Sequence, residues 1–385
     1  MKTLTIFLSF IIGLVMTISV FAEDILQRIT IPEFDLSQKT DWQFLVDKEQ
    51  GQYLGHVTTC LLDDGKTILC VYPKGHGRGA IVYKRSMDGG KTWSDRLPTP
   101  KSWETSLEVP TLHRTVDADG KKRIIMFSGL YPARMAVSEN EGETWSELQK
   151  VGDWGGIVVM GEVIALNTGK GHYMAMFHDD GKFFTSTSKK GIGFTLYKTL
   201  STDGGLTWSY PESILNSKEI YPCEPGIVRS PDGKRIAVLL RENSRKQNSQ
   251  IIFSDDEGKT WTKMRPMPAA LNGDRHTIRY TKDGRLFIAF REMSLPQNRT
   301  SSFGDWVSWI GTFEDLENGT EGQYRLRIMD NKSGADSTYP GVVVLPDGMI
   351  VTTTYGHWTK DEKPYIMTVR IDMNETDQMY KNRNK

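Results

Sequence analysis

Ser86-Met87-Asp88-Gly89-Gly90-Lys91-Thr92-Trp93 is the first of four related octets. The others are SENEGETW over 138–145, STDGGLTW over 201–208 and SDDEGKTW over 254–261. Their shared form, Ser-x-Asp/Asn-x-Gly-x-Thr-Trp, reads as a tight hairpin turn. Asp88, Asn140, Asp203 and Asp256 stand where a short polar side chain bonds back to its own turn. Gly90, Gly142, Gly205 and Gly258 stand where the turn calls for φ > 0. The threonine is expected to enter a strand and the tryptophan to pack over a sheet. These residues serve turn geometry rather than catalysis. Four copies at intervals of 52–63 residues mean one supersecondary unit stacked several times.

A second local signal supplies the number of units. Strand–turn–strand patterns with a Gly-containing turn occur at 61–68, 116–120, 167–171, 230–236, 281–286 and 345–350. Two of them follow Trp261 and carry no octet of their own. Six units arranged in a ring predict an all-β fold, a six-bladed β-propeller of four-stranded antiparallel blades, which leaves only short, protected edges.

Composition narrows the partners. The chain has 385 residues with 48 Lys+Arg against 48 Asp+Glu, a balance that argues against nucleic acid or an anionic membrane surface as partner. Met1-Lys2 and an apolar run from about Leu4 to Val20, closing on Val20-Phe21-Ala22, read as a secretory signal peptide over 1–22. Residues 23–385 then form a single propeller domain, expected to be secreted or periplasmic, monomeric and without a membrane anchor. The polar tail after Asp372 is expected to fray. Cys60, Cys70 and Cys223 are too few for a disulfide framework and read as buried thiols, with a bridge between Cys60 and Cys70, which flank one hairpin, as the alternative. There is no zinc-type Cys/His spacing and no phosphate-binding Gly-rich loop, so no metal and no cofactor are expected.

The four octets resemble the Asp boxes of the sialidase (neuraminidase) superfamily of BNR-repeat propellers, and the likeness covers nearly all of the chain after the signal peptide. It implies an active site on the face opposite the boxes, where the innermost strands begin near His56, Glu108, Glu162, Glu224, His276 and Tyr339. Cys223-Glu224-Pro225-Gly226, followed by Arg241, is similar to the segment carrying the glutamate that assists the nucleophile and an arginine that binds the substrate carboxylate. Thr338-Tyr339-Pro340-Gly341 is similar to the segment carrying the tyrosine nucleophile. A neutral tyrosine suits a sugar whose anomeric carbon bears a carboxylate, because an anionic nucleophile would be repelled. Arginines then hold that carboxylate bidentately. Arg291 and Arg299 both compete for a further arginine role.

Two family signatures are absent. Gly55-His56-Val57-Thr58 replaces the first arginine segment, and Lys74-Gly75-His76-Gly77-Arg78-Gly79-Ala80 contains no carboxylate where the acid/base aspartate is expected. The replacements, His56, His76, His276, Arg78, Arg275 and Tyr339, suit a different reaction. Arginine can neutralise a uronate carboxylate while His or Tyr removes the C5 proton and another protonates the leaving oxygen. Three readings follow. The first is a sialidase-like exo-glycosidase acting on a terminal acidic sugar. The second is a lyase or dehydratase acting on uronate-containing oligosaccharides. The third is a non-catalytic sugar-binding propeller. Tyr339, Glu224, His76 and His56 are the candidate catalytic residues; Arg241, Arg78, His276, Arg275 and Arg291 are the candidate substrate-binding residues. All three readings expect an acidic oligosaccharide or polysaccharide as the ligand.

Overall fold

The computed structural model describes residues 28–191 and 193–383; the segment 1–22 read as a signal peptide lies outside them. Six sheets, antiparallel but for one added edge strand, stand around a central axis. Blade 1 contains Thr58–Leu61, Ile68–Pro73 and Ile81–Ser86. Blade 2 contains Thr111–Val116, Lys122–Ser128, Arg134–Ser138 and Gln149–Lys150. Blade 3 begins with Ile157–Ala165, blade 4 with Pro222–Arg229, blade 5 with Gly273–Tyr280 and blade 6 with Gly341–Val344. All six Gly-containing turns join the first and second strands of a blade.

Two blades depart from four strands. Glu33–Asp35 adds in parallel to Tyr324–Met329 and makes blade 5 five-stranded. Gln43–Asp47 pairs antiparallel with Tyr365–Ile371 and completes blade 6, so the start of the chain closes the ring. Blade 1 keeps three strands. The tail after Asp372 is not frayed: Met373–Arg383 is a helix. Asp377 ties it down by accepting from Arg285 at 2.7 and 2.8 Å and from the Tyr324 hydroxyl at 2.7 Å.

The core lies between blades rather than within one sheet. Leu69 and Val71 of blade 1 pack on Ile124 and Met126 of blade 2, and Ala237 and Leu239 of blade 4 on Ile288 and Phe290 of blade 5. Along the axis runs a cavity of about 570 Å³ lined by every innermost strand, through Cys60, His113, Val163, Val228, Arg279 and Val343. Cys60, Cys70 and Cys223 are buried free thiols, and burial pushes that of Cys60 up to about 12.

The octets bind blades together. In the first, Ser86 Oγ accepts the Gly90 N–H and donates to Asp88, both at 2.8 Å. Asp88 accepts the Thr92 N–H at 2.9 Å and its hydroxyl at 2.6 Å. The same network recurs at Ser201 and Ser254, and at Ser138 with Asn140 in the aspartate's place, where the amide donates to the Thr144 hydroxyl instead of accepting from it. The threonine therefore stays in the turn instead of entering a strand, because the Asp/Asn side chain has captured it. The octet's glycine rests on the preceding blade. A Cβ on Gly142, at φ +79°, would stand 2.6 Å from both Leu69 Cδ1 and the Tyr83 oxygen of blade 1. Real Cβ atoms do not approach so closely, so only glycine allows this contact.

Candidate active site

On the face opposite the octets, five innermost strands are entered through a residue in the left-handed region. These are His56 (φ 58°), Val158 (49°), Glu224 (51°), Arg275 (56°) and Thr338 (58°). In blades 3, 4 and 5 this coincides with a register shift in the first hairpin. A bulge bends a strand and re-aims a side chain, and non-glycine residues adopt such φ values only where the surroundings impose them. The repeated irregularity turns side chains toward the axis at the mouth of the ring.

At the centre, the Tyr339 hydroxyl donates to Glu224 Oε1, which also accepts from Arg241 Nη1 at 2.7 Å. Tyr339 and Glu224 are both buried, and Glu224 Oε2 has no partner among the described residues. Burial raises the Glu224 carboxyl, but the Arg241 guanidinium and the Tyr339 hydroxyl outweigh it, so the group stays ionised below its ordinary value. Burial and the Glu224 charge push the Tyr339 phenol well above its ordinary value, so it is neutral. The result is a neutral hydroxyl poised on a carboxylate base.

Below these residues lies an arginine cluster organised by Asp274, which is fully buried. Arg245 binds it through two nitrogens at 2.6 and 2.7 Å. Arg291 contacts it at 2.6 and 3.0 Å and donates a further bond to the Ser337 carbonyl. Arg241 Nε stands 3.2 Å away. Burial would raise the Asp274 carboxyl, yet the three guanidinia hold it well below the usual carboxylate range. Arg275 is different. It is buried, makes no ion pair or hydrogen bond among the described residues, and lies 6.0 Å from the centroid of the Tyr339 ring. The cluster is thus net positive, and Arg275 is its uncommitted cation. Arg299, the alternative to Arg291, stacks on Phe303 in an exposed loop instead.

The opposite wall is aromatic. The His56 ring lies 4.3 Å from Tyr339, 4.5 Å from His76 and 4.9 Å from Tyr355. Its Nδ1 accepts the Gly77 N–H at 3.0 Å, which leaves the proton on Nε2. Burial, together with the nearby His76, holds His56 well below its ordinary pKa. His56 is therefore a neutral hydrogen-bond donor, without a free lone pair to act as a base. His76 is largely exposed, and its Nδ1 lies 2.8 Å from the Tyr53 oxygen. The single Tyr53 proton goes to Asp336 Oδ1, also at 2.8 Å, so His76 Nδ1 carries a proton and the lone pair of the neutral ring is on Nε2.

His276 is not brought into the pocket. It is buried against Phe290 with Nε2 on the Leu271 carbonyl at 2.8 Å, so its place is in the core. Arg78 is exposed at the rim. Glu162 lines the axial cavity, with Arg279 3.7 Å from its carboxylate. The sequence reading did not single out Asp274, Arg245, Asp336 or Tyr53, and it gave Glu108 a place at the mouth without a role. Among the described residues no group of three or more His, Cys, Asp or Glu side chains is placed to hold a metal ion, and no helix is long and apolar enough to cross a membrane.

Comparison with known proteins bears on this geometry. The model of the BNR repeat-like domain family matches residues 127–352. An anhydrosialidase from Macrobdella decora is 26% identical over 59% of this chain and 30% of its own length. A sialidase from Paraclostridium sordellii is 26% identical over 40% of this chain and 43% of its own. The chain thus spans less than half the length of either relative. Among solved structures, an α-L-arabinofuranosidase from Fusarium graminearum superposes with a TM-score of 0.63 at 13% identity, covering 86% of this chain and 98% of that one. At that identity the likeness is one of fold.

Proposed function

The chain belongs to the BNR repeat-like family, and we propose that it is a glycosidase of sialidase type that releases a terminal acidic sugar from a glycan. The observation that carries this reading is the Tyr339–Glu224 hydrogen bond, buried beside Arg241. In the proposed reaction the Tyr339 oxygen bonds to the anomeric carbon as its proton passes to Glu224. The glycosidic C–O bond breaks, and its electron pair leaves on the aglycone oxygen, which takes up a proton. Water then displaces tyrosinate from the anomeric carbon and gives up a proton that replaces the one taken by the aglycone, and tyrosinate recovers its own proton from Glu224. Net positive charge from Arg241, Arg245, Arg291 and Arg275 favours an acidic sugar, and Arg275 is free to receive its carboxylate. His56 contributes a donor beside the nucleophile.

A second reading, elimination on a uronate, draws support from His76. With Nδ1 committed to Tyr53 and Asp336 close by, Nε2 is available to remove a C5 proton while Arg275 neutralises the carboxylate. A screen of sialylated and uronate-rich oligosaccharides, with products read by mass and ultraviolet absorbance, separates the readings. Hydrolysis adds one water across the cleaved bond. An unsaturated uronate would overturn the hydrolase reading in favour of elimination, and binding without any product would leave the propeller as a lectin-like module. The extracytoplasmic location and monomeric state expected from the sequence belong to the same proposal.

A further inference from the structure

We infer that Glu108 is the residue that protonates the leaving oxygen, an inference that rests on the glycosidase reading above. The loop 74–80 has no carboxylate of its own, and blade 2 sends one into it. Glu108 lies three residues before the innermost strand Thr111–Val116, and His56 two residues before that of blade 1. Its side chain crosses to Gly77: a Cβ there would lie 3.0 Å from Glu108 Oε1. Gly77 in turn donates to His56, whose ring packs on Tyr339. Gly77 and His56 thus connect this carboxyl to the nucleophile.

The two oxygens have different settings. Oε1 accepts the Val109 N–H at 2.9 Å. Oε2 has no partner among the described residues and is not enclosed, because the side chain is only half-buried. One oxygen is thus anchored and the other is unpaired and accessible. Burial pushes the carboxyl up. The Val109 N–H, Arg78 and His76 pull it down, and the Glu224 charge pushes it up again, leaving it at about 7. A group near neutrality is suited to giving and retaking a proton. Two other acidic groups at the mouth, Asp336 and Glu224, lack this property, whereas Asp179, raised to about 6 by burial, has its carboxylate taken up by the Phe183 N–H. Asp336 is held well below its ordinary value because its bonds to His76 and Tyr53 outweigh burial, and Glu224 is held ionised by Arg241. In the reaction, the Glu108 O–H bond breaks as the glycosidic bond breaks and the aglycone oxygen keeps the proton. The resulting carboxylate then takes a proton from the water that attacks the glycosyl-tyrosine.

Two measurements test the assignment on the full chain. Protein labelled with ¹³C at the glutamate carboxyl, with E108Q to assign the resonance, should show Glu108 titrating near neutrality. A midpoint below about 5, the ordinary carboxylate range, overturns the inference without reference to any substrate. Kinetics then use the glycone identified by the oligosaccharide screen, carried once on 4-methylumbelliferone and once on lactose. Folded E108Q should lose roughly 10²–10⁴-fold in kcat/KM, which reports the bond-breaking step, on the lactose conjugate. On the good leaving group the loss in kcat/KM should be less than about tenfold, because that aglycone departs with little protonation. The alkaline limb of the pH profile should vanish, and azide should restore turnover with formation of a glycosyl azide. Equal losses on both aglycones, or an unchanged alkaline limb, would dismiss Glu108 and leave the glycosidase reading standing. A wild-type chain that cleaves no glycoside would dismiss both.

Discussion

Replacing Asp274 by Asn tests whether one buried carboxylate holds the site's cations together. The substitution keeps the shape and removes the charge. It leaves Arg291, Arg245 and Arg241 facing one another at the distances now bridged by five nitrogen–oxygen contacts of 2.6–3.2 Å. Breaking a buried pair from one side costs about 3–5 kcal/mol, because the partner charge stays behind uncompensated. Arg245 is partly solvent-exposed and Arg291 is not, which places the expectation near 3 kcal/mol. An unfolding entropy of about 2.1 cal/mol/K per residue over a chain of this size converts that into a drop in Tm of roughly 4 °C. Urea titration and calorimetry at pH 7 measure both quantities. The pH dependence has a defined sign. The folded-state pKa of Asp274 is depressed, so its stabilisation is complete above the unfolded carboxylate value near 4 and fades as pH falls toward the folded value. The gap between wild type and variant should therefore be flat from pH 8 to 5 and narrow below pH 4. A loss under about 1 kcal/mol, the worth of an exposed pair, or a gap that widens in acid, would refute the reasoning.

Tyr339→Phe should leave circular dichroism unchanged and lower kcat on any cleaved substrate by about 10³-fold or more, since it removes the attacking oxygen; full activity would dismiss the site. His76→Ala should spare hydrolysis within about tenfold but abolish any elimination activity, because it removes the free Nε2 base; product analysis by mass and absorbance decides. Asp203→Ala breaks bonds to Ser201, Leu206 and Thr207 in the third octet. It should cost about 2 kcal/mol in urea unfolding while the activity per folded molecule stays at the wild-type level.

The parts of the fold that were legible in the sequence are those whose cause is local. An Asp that captures its own threonine and a Gly-containing turn between two apolar strands each act within a few residues, so the octets and the six hairpins could be read directly. Closure of blade 6 by Gln43–Asp47 could not, because the partner strand lies at the other end of the chain. The site divides in the same way. Glu224, Arg241 and Tyr339 stood out by resemblance, and the structure places them in contact. Asp274 and Asp336 carry no local mark, since their surroundings come from residues on other strands and loops. His276 illustrates a failure of alternation. The ladder shifts register between Asp274 and Thr277, so the alternation of strand residues does not say which of Arg275 and His276 faces the pocket. The bulge that turns Arg275 toward Tyr339 sends His276 to Phe290. Glu108 came closest to being found, for the sequence placed it at a strand entrance yet offered no reason to expect a carboxyl that reaches across to the neighbouring blade's loop.

The N-terminal strand that completes the last blade also bears on how the molecule is made. Gln43 meets Val369 only after almost the whole chain has been synthesised. Until then Gln43–Asp47 and Tyr365–Ile371 are both unpaired edges, open to strands of other molecules. Pairing over so long a separation is slow, so ring closure is expected to be the last and rate-limiting event of folding. Partial rings are the species at risk of aggregating. A chain ending at Asp372 would keep this closure, whereas one ending at Lys363 would lose it and should accumulate as soluble oligomers or aggregate rather than as a slightly less stable monomer.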